Sequence, residues 1–193
     1  ALRLGFRQID GFRQAWGEAI EAARASGPFT SIEDLARRAA LPPAALRKLA
    51  DADAFGSLGK GRRDALWEAR RTPADQLPLF AFADAAELGA EPDAQLPAMP
   101  LSEEVVADYQ MLRLSLKAHP MQFLRDRFTR EGVLSCADTN VAPDGRRVAC
   151  AGIVLIRQRP GKGNAVFITI EDETGVVNAL LWARDIEKQR RAV

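Results

Sequence analysis

Val148-Ala149-Cys150-Ala151-Gly152-Ile153-Val154-Leu155-Ile156 decides the fold class, because the periodicity of the chain changes there. The run is β-branched and short of helix formers, so it reads as a strand, with Gly152 marking a bulge or bend. A basic, glycine-rich loop follows from Arg157 to Asn164. Ala165–Ile170 then reads as a second strand, Asp172–Gly175 as a turn, Val176–Trp182 as a third strand and Ala183–Arg191 as a helix. Strand, basic loop, strand, tight turn, strand, helix is the opening of an OB-fold barrel. That barrel needs five strands, so residues 146–193 are expected to be the N-terminal part of a truncated OB domain.

Upstream, the pattern is helical. Phe12, Trp16, Ala19, Ile20 and Ala23 recur at helical spacing, and Gly27-Pro28 stops that helix. Ser31, with Asp34 three residues on, has the form of a capping box for a second helix. Pro43 suits the first turn of a third, through Leu46 and Leu49. Phe55-Gly56-Ser57-Leu58-Gly59 is a turn, and a fourth helix follows from about Arg62 to Arg70. Residues 1–71 therefore form a small all-α module. Residues 72–100 hold five prolines and several acids and read as a linker. Residues 101–145 are a helical connector, with Leu101–Leu116 capped by Ser102 and a further short helix over Met121–Arg130. The expected class is α+β and multi-domain.

Charge follows the same division. Residues 1–71 hold 13 Lys+Arg against 9 Asp+Glu, residues 72–110 none against 8, and residues 111–193 14 against 9. Two basic blocks flank an acidic connector, and basic blocks attract phosphate. No apolar run is long enough for a membrane span. No signal peptide opens the chain and it does not start with Met, so it is expected to be cytoplasmic and cut from something longer. Cys136 and Cys150 match no metal or redox spacing and read as small buried or half-buried residues in a reducing compartment. His119 is the only histidine, which leaves no metal site and no Ser–His triad signalled.

Four stretches suggest binding chemistry. In Ile9-Asp10-Gly11-Phe12-Arg13 an apolar residue, a glycine and an apolar residue precede a helix, as in a helix-hairpin-helix motif. Gly11 permits a tight turn with positive φ, which presents backbone N–H groups and a helix N-terminus to a phosphate. The usual second glycine is replaced by Arg13, which can itself reach a phosphate; a plain helical turn is the alternative. Gly59 with Arg62 and Arg63 forms a second such place. Cations at a helix N-terminus are unfavourable, and a bound phosphate would offset that cost; a solvated arginine pair is the alternative. Arg157, Arg159 and Lys162 lie in the loop between the first two strands; Phe167 and Trp182 are the only aromatic residues near it, so a single strand is expected to be bound mainly by charge, with weak sequence preference. Gln76-Leu77-Pro78-Leu79-Phe80 resembles the pentapeptide that bacterial polymerases insert into the sliding clamp; local packing of the linker is the alternative. A fifth stretch, Glu171-Asp172-Glu173, invites a divalent metal but is expected to be the solvated tip of a hairpin.

The order of these motifs carries a resemblance. Leu2-Arg3-Leu4-Gly5-Phe6-Arg7-Gln8-Ile9, the Ala52–Trp67 stretch, Leu114-Ser115-Leu116-Lys117-Ala118-His119-Pro120, Val154–Pro160 and Thr169–Gly175 succeed one another as in the C-terminal third of bacterial C-family (DnaE-like) DNA polymerases. The Ser115–Pro120 and Arg157–Pro160 wordings are most similar to the error-prone, damage-induced ImuC type. The resemblance implies palm, thumb and fingers upstream, then tandem helix-hairpin-helix, then an OB domain. It implies translesion nucleotide addition by the parent, with Mg2+, and no catalytic residue, metal or cofactor in this segment. It also implies duplex DNA on the helical module, single strand on the OB loop, and the clamp and translesion accessory proteins as partners. Two alternatives stay open from the residues alone: a free-standing nucleic-acid-binding protein, and the OB-containing part of a tRNA synthetase-like enzyme.

Overall fold

The computed structural model describes residues 3–72, 96–161 and 164–188. Its contacts divide into one unit over Ala1–Leu116 and a second over Lys117–Val193.

In the first unit a 3-10 turn at Phe6–Gln8 leads through Gly11 into α1 (Gln14–Arg24), followed by α2 (Ile32–Arg38), α3 (Pro43–Asp51), a 3-10 turn at Gly56–Leu58, α4 (Arg62–Arg71) and α5 (Leu101–Leu112). The local reasons are those the sequence announces. Ser31 caps α2 by accepting the Asp34 N–H at 2.9 Å, and Pro43 occupies the first turn of α3. Ile20, Ile32, Leu46 and Leu49 are almost fully buried and share one core with Ile9, Leu35 and Phe55. Each such side chain contributes about 1.5–3 kcal/mol relative to exposure. Arg38 closes the C-terminal end of α1, where cations are favoured. Its guanidinium donates to the carbonyls of Ala23 (2.7 Å), Gly27 (2.7 Å) and Pro28 (3.0 Å) and lies over the Phe29 ring.

The expected connector does not stand apart. Helix α5 is part of the first unit: Leu112 joins its core, Asp10 N–H donates to the Met111 carbonyl at 2.9 Å, and Gln8 donates to the Leu112 carbonyl at 2.8 Å. The boundary falls after Leu116. Helix α5 is also shorter than the pattern suggests. Pro100, not Ser102, is its N-cap, with no side-chain bond, and Arg113 ends it in the left-handed conformation (φ 63°).

In the second unit the expected Met121–Arg130 helix is a 3-10 turn (Pro120–Leu124) running into α6 (Arg125–Arg130). Next come β1 (Val133–Leu134), α7 (Cys136–Asn140), β2 (Ala149–Cys150), β3 (Ile153–Gln158), β4 (Ala165–Asp172), β5 (Gly175–Trp182) and α8 (Ala183–Lys188). Strands β3-β4-β5 form an antiparallel meander, and β1 pairs with β2 in parallel. The strand expected over 148–156 is thus two strands broken at Ala151-Gly152. Glycine is required at the break because the backbone there packs closely on β4: a Cβ on Gly152 would lie 2.5 Å from the Glu171 carbonyl oxygen. A register shift between Val154 and Ile156 adds a bulge beyond it. The class is α+β, with a helical module at the N-terminal end.

Candidate nucleic-acid interface

The first glycine hairpin is built from Ile9, which is buried and anchors the turn, and Gly11, whose φ is +66°. That angle is in the left-handed region, where a side chain is strained. The site is also crowded: Lys48 Nζ lies 2.9 Å from where a Gly11 Cβ would be, and it donates to the Asp10 carbonyl at 2.7 Å. Phe12 N–H closes the turn onto the Ile9 carbonyl at 3.1 Å. Arg13 is the N-cap of α1 and no side chain caps that end, so its first N–H groups have no side-chain acceptor. Arg13 is exposed, with its guanidinium 5.1 Å from the Trp16 ring centroid. Arg113 is 71% exposed and pairs with Asp10 at 3.2 Å, a contact that solvent screens. The turn therefore carries a positive helix end and three cations: Arg13 from its own strand of sequence, Lys48 from α3 and Arg113 from the end of α5. Nothing in the sequence around Gly11 points to Lys48 or Arg113. Their distance from Gly11 along the chain hides them, and no local pattern marks either one.

The second hairpin repeats the backbone geometry without the open charge. Gly59 is left-handed (φ +70°) and Gly61 is an N-cap with no side-chain bond. Arg62, expected to face a phosphate, instead turns inward and is buried. It pairs with Asp108 and with Glu104 (2.7 Å), and donates to the Glu104 carbonyl at 2.9 Å. Two acids of α5 thus offset the cost of a cation at a helix N-terminus, the role assigned to phosphate from sequence. Arg63 is partly exposed and donates to Glu103 at 2.7 Å and to the Pro97 carbonyl at 2.9 Å.

In the second unit, register settles which expected contacts share a face. Phe167 pairs with Leu180 and Ala165 with Trp182, so Phe167, Leu180 and Trp182 lie on one side of the meander, all exposed. Thr169 and Asn178 bond across the same face at 2.7 Å. Arg157 pairs with Ile168, one step out of phase with Phe167, so alternation puts it on the opposite face. Arg159 lies past the end of β3. Lys162 and Gln76, Leu77, Leu79 and Phe80 lie outside the described residues.

The acidic stretch is not a solvated tip. Asp172 is buried and organises the turn. One carboxylate oxygen accepts the Thr174 N–H (2.8 Å) and hydroxyl (2.6 Å). The other accepts the Cys136 N–H (2.8 Å) and Arg125 (2.6 Å). Burial pushes its pKa up, but the Thr174 and Cys136 hydrogen bonds and the Arg125 charge outweigh this and hold it at about 2. Arg125 also binds Glu173 at 2.5 Å, which lowers the Glu173 pKa. The acids are thereby committed to protein partners. Among the described residues no group of three or more His, Cys, Asp or Glu is placed to hold a metal, and none of their helices is long and apolar enough to cross a membrane.

Residues 1–65 match the helix-hairpin-helix motif family. The whole chain is 54% identical to an error-prone DNA polymerase of Rhodopseudomonas palustris (strain BisA53), covering 19% of that protein. It is 52% identical over its whole length to one from Brucella abortus biovar 1 (strain 9-941), covering 18% of it. Over 92% of the chain, identity reaches 57% with one from Bradyrhizobium sp. (strain ORS 278), covering 15% of it. The chain is homologous to a segment of error-prone DNA polymerases. It spans about a fifth of the length of these curated relatives and corresponds to their C-terminal part.

Proposed function

We propose that this segment holds DNA for an error-prone polymerase, with the Gly11 hairpin as its principal phosphate grip. One observation carries the reading: the left-handed Gly11 turn, the uncapped N-terminus of α1 and three cations meet at one place. Backbone N–H groups and a helix dipole bind phosphate without reading sequence, which suits a polymerase that must accept any template. The Gly59 turn adds backbone donors, with Arg63 at its edge, while Arg62 serves the fold. The Phe167–Trp182 face offers bases a stacking surface, with Arg159 and Lys162 of the adjoining loop supplying charge, while Arg157, on the opposite face of the sheet, would contribute only long-range attraction. Residues 76–80 are proposed as a clamp ligand, with Leu79 and Phe80 as anchors, Leu77 beside them and Gln76 at the rim. The parent enzyme would add nucleotides opposite damaged templates in the cytoplasm, with Mg2+ held by carboxylates in its other parts and with accessory translesion proteins as partners.

The test is fluorescence anisotropy of a duplex with the full chain across a salt series. Double-stranded DNA binding should fall with log-log slope near −0.9 per phosphate contacted, and Arg13→Ala with Lys48→Ala should reduce the slope by about 2. A slope unchanged in the double variant would remove the Gly11 hairpin from the interface.

A further inference from the structure

The second unit brings its two cysteines together although 14 positions separate them. Cys136 Sγ lies 3.9 Å from Cys150 Sγ, and these are the only cysteines of the chain. The fold enforces the approach from both sides. The parallel β1–β2 pair sets Leu134 opposite Cys150. Ser135 caps α7 through the Asp138 N–H at 3.0 Å, and the Cys136 N–H is tied to Asp172 at 2.8 Å. Cys136 is buried and Cys150 half-buried. A disulfide needs an S–S separation of about 2.05 Å, so closure asks for side-chain rotation and a small strand adjustment.

We propose that Cys136 and Cys150 form an oxidisable dithiol that a small peroxide closes to an intrachain disulfide. The roles follow from exposure. Cys150 is the thiol an oxidant can reach, whereas Cys136 is enclosed. Burial, then the Cys150 thiol and the Asp172 carboxylate, push the Cys136 pKa up to about 12, so it stays protonated. The Cys150 sulfur attacks the peroxide O–O bond: S–O forms, O–O breaks, and water leaves as the thiol proton is taken up, giving a sulfenic acid. The Cys136 sulfur then displaces the hydroxyl from Cys150: S–S forms, S–O breaks, and the Cys136 proton leaves with it as water. Two thiols are oxidised by two electrons and hydrogen peroxide is reduced to two waters. The product would tie the N-terminus of α7 to β2, beside the Asp172 turn.

The experiment treats the full chain with hydrogen peroxide, alkylates it under denaturing conditions and weighs it. The expected product is a monomer with no alkylated cysteine, lighter by two hydrogens and restored by a thiol reductant. In Cys136→Ser, Cys150 should be trapped as a sulfenic acid by dimedone. In Cys150→Ser, Cys136 should react at least about tenfold more slowly. Cys136→Ala repeats the first readout if a buried hydroxyl disturbs packing. Retention of both thiols, oxygen addition without cross-linking, or disulfides only between chains would each overturn the proposal.

Discussion

The two glycine hairpins of the helical unit share a backbone and differ in what their cations do. Gly11 and Gly59 are both left-handed, and each precedes a helix whose N-terminus has no side-chain cap. At the first, Arg13 is exposed and Lys48 packs against the turn. At the second, Arg62 is buried between Glu104 and Asp108, and Arg63 reaches Glu103. An arginine beside a hairpin is therefore not in itself a phosphate contact. What decides its role is whether another helix brings acids to it, and α5 does so only for the second hairpin.

The largest effect that would break this contrast is on stability. Arg62→Ala leaves two carboxylates facing a buried site without their cation, and losing one partner of such a group costs about 3–5 kcal/mol. Urea unfolding of the full chain should show that loss. A change within about 0.5 kcal/mol would mean that Arg62 does not hold α5 and is free for DNA.

The second unit offers a comparable buried pair, which sharpens the point. Asp172 has a folded-state pKa of about 2 against an ordinary value of 3.8. A depressed carboxyl contributes stability above its unfolded pKa and loses it as pH falls through the folded one. The Asp172 turn should therefore contribute about 2 kcal/mol at neutral pH, lost between about pH 4 and pH 2. Asp172→Asn should flatten that part of the stability-pH curve. An equally steep curve in the variant would place the acid sensitivity elsewhere. By contrast Arg63→Ala, at a part-exposed pair, should cost under about 1 kcal/mol and leave duplex affinity nearly unchanged. A loss of affinity on the scale of the Arg13 and Lys48 changes would make the two hairpins equivalent.

Much of this was legible because the signals are local. Ser31 with Asp34, Pro43 and the apolar spacing of Trp16, Ile20 and Ala23 place α1 to α3 within a few residues. The β-branched runs place β4 and β5. What was not legible depends on residues far apart in sequence. Asp108 lies 46 positions from Arg62 and Arg125 lies 47 from Asp172, so Arg62 read as a phosphate ligand and Asp172 as a solvated tip. The Cys136–Cys150 approach depends on a two-residue parallel pairing, too short to leave a pattern. Lys48 and Arg113 reach the Gly11 turn only once α3 and α5 have packed.

The most direct test of the account is an NMR titration of the full chain with a short duplex, following backbone amides at both hairpins. Gly11 to Ala15 should shift most, more than Gly59 to Arg63, and the shifts should fade as salt is raised. Shifts confined to Gly59–Arg63, or a first hairpin that does not respond to DNA, would contradict it.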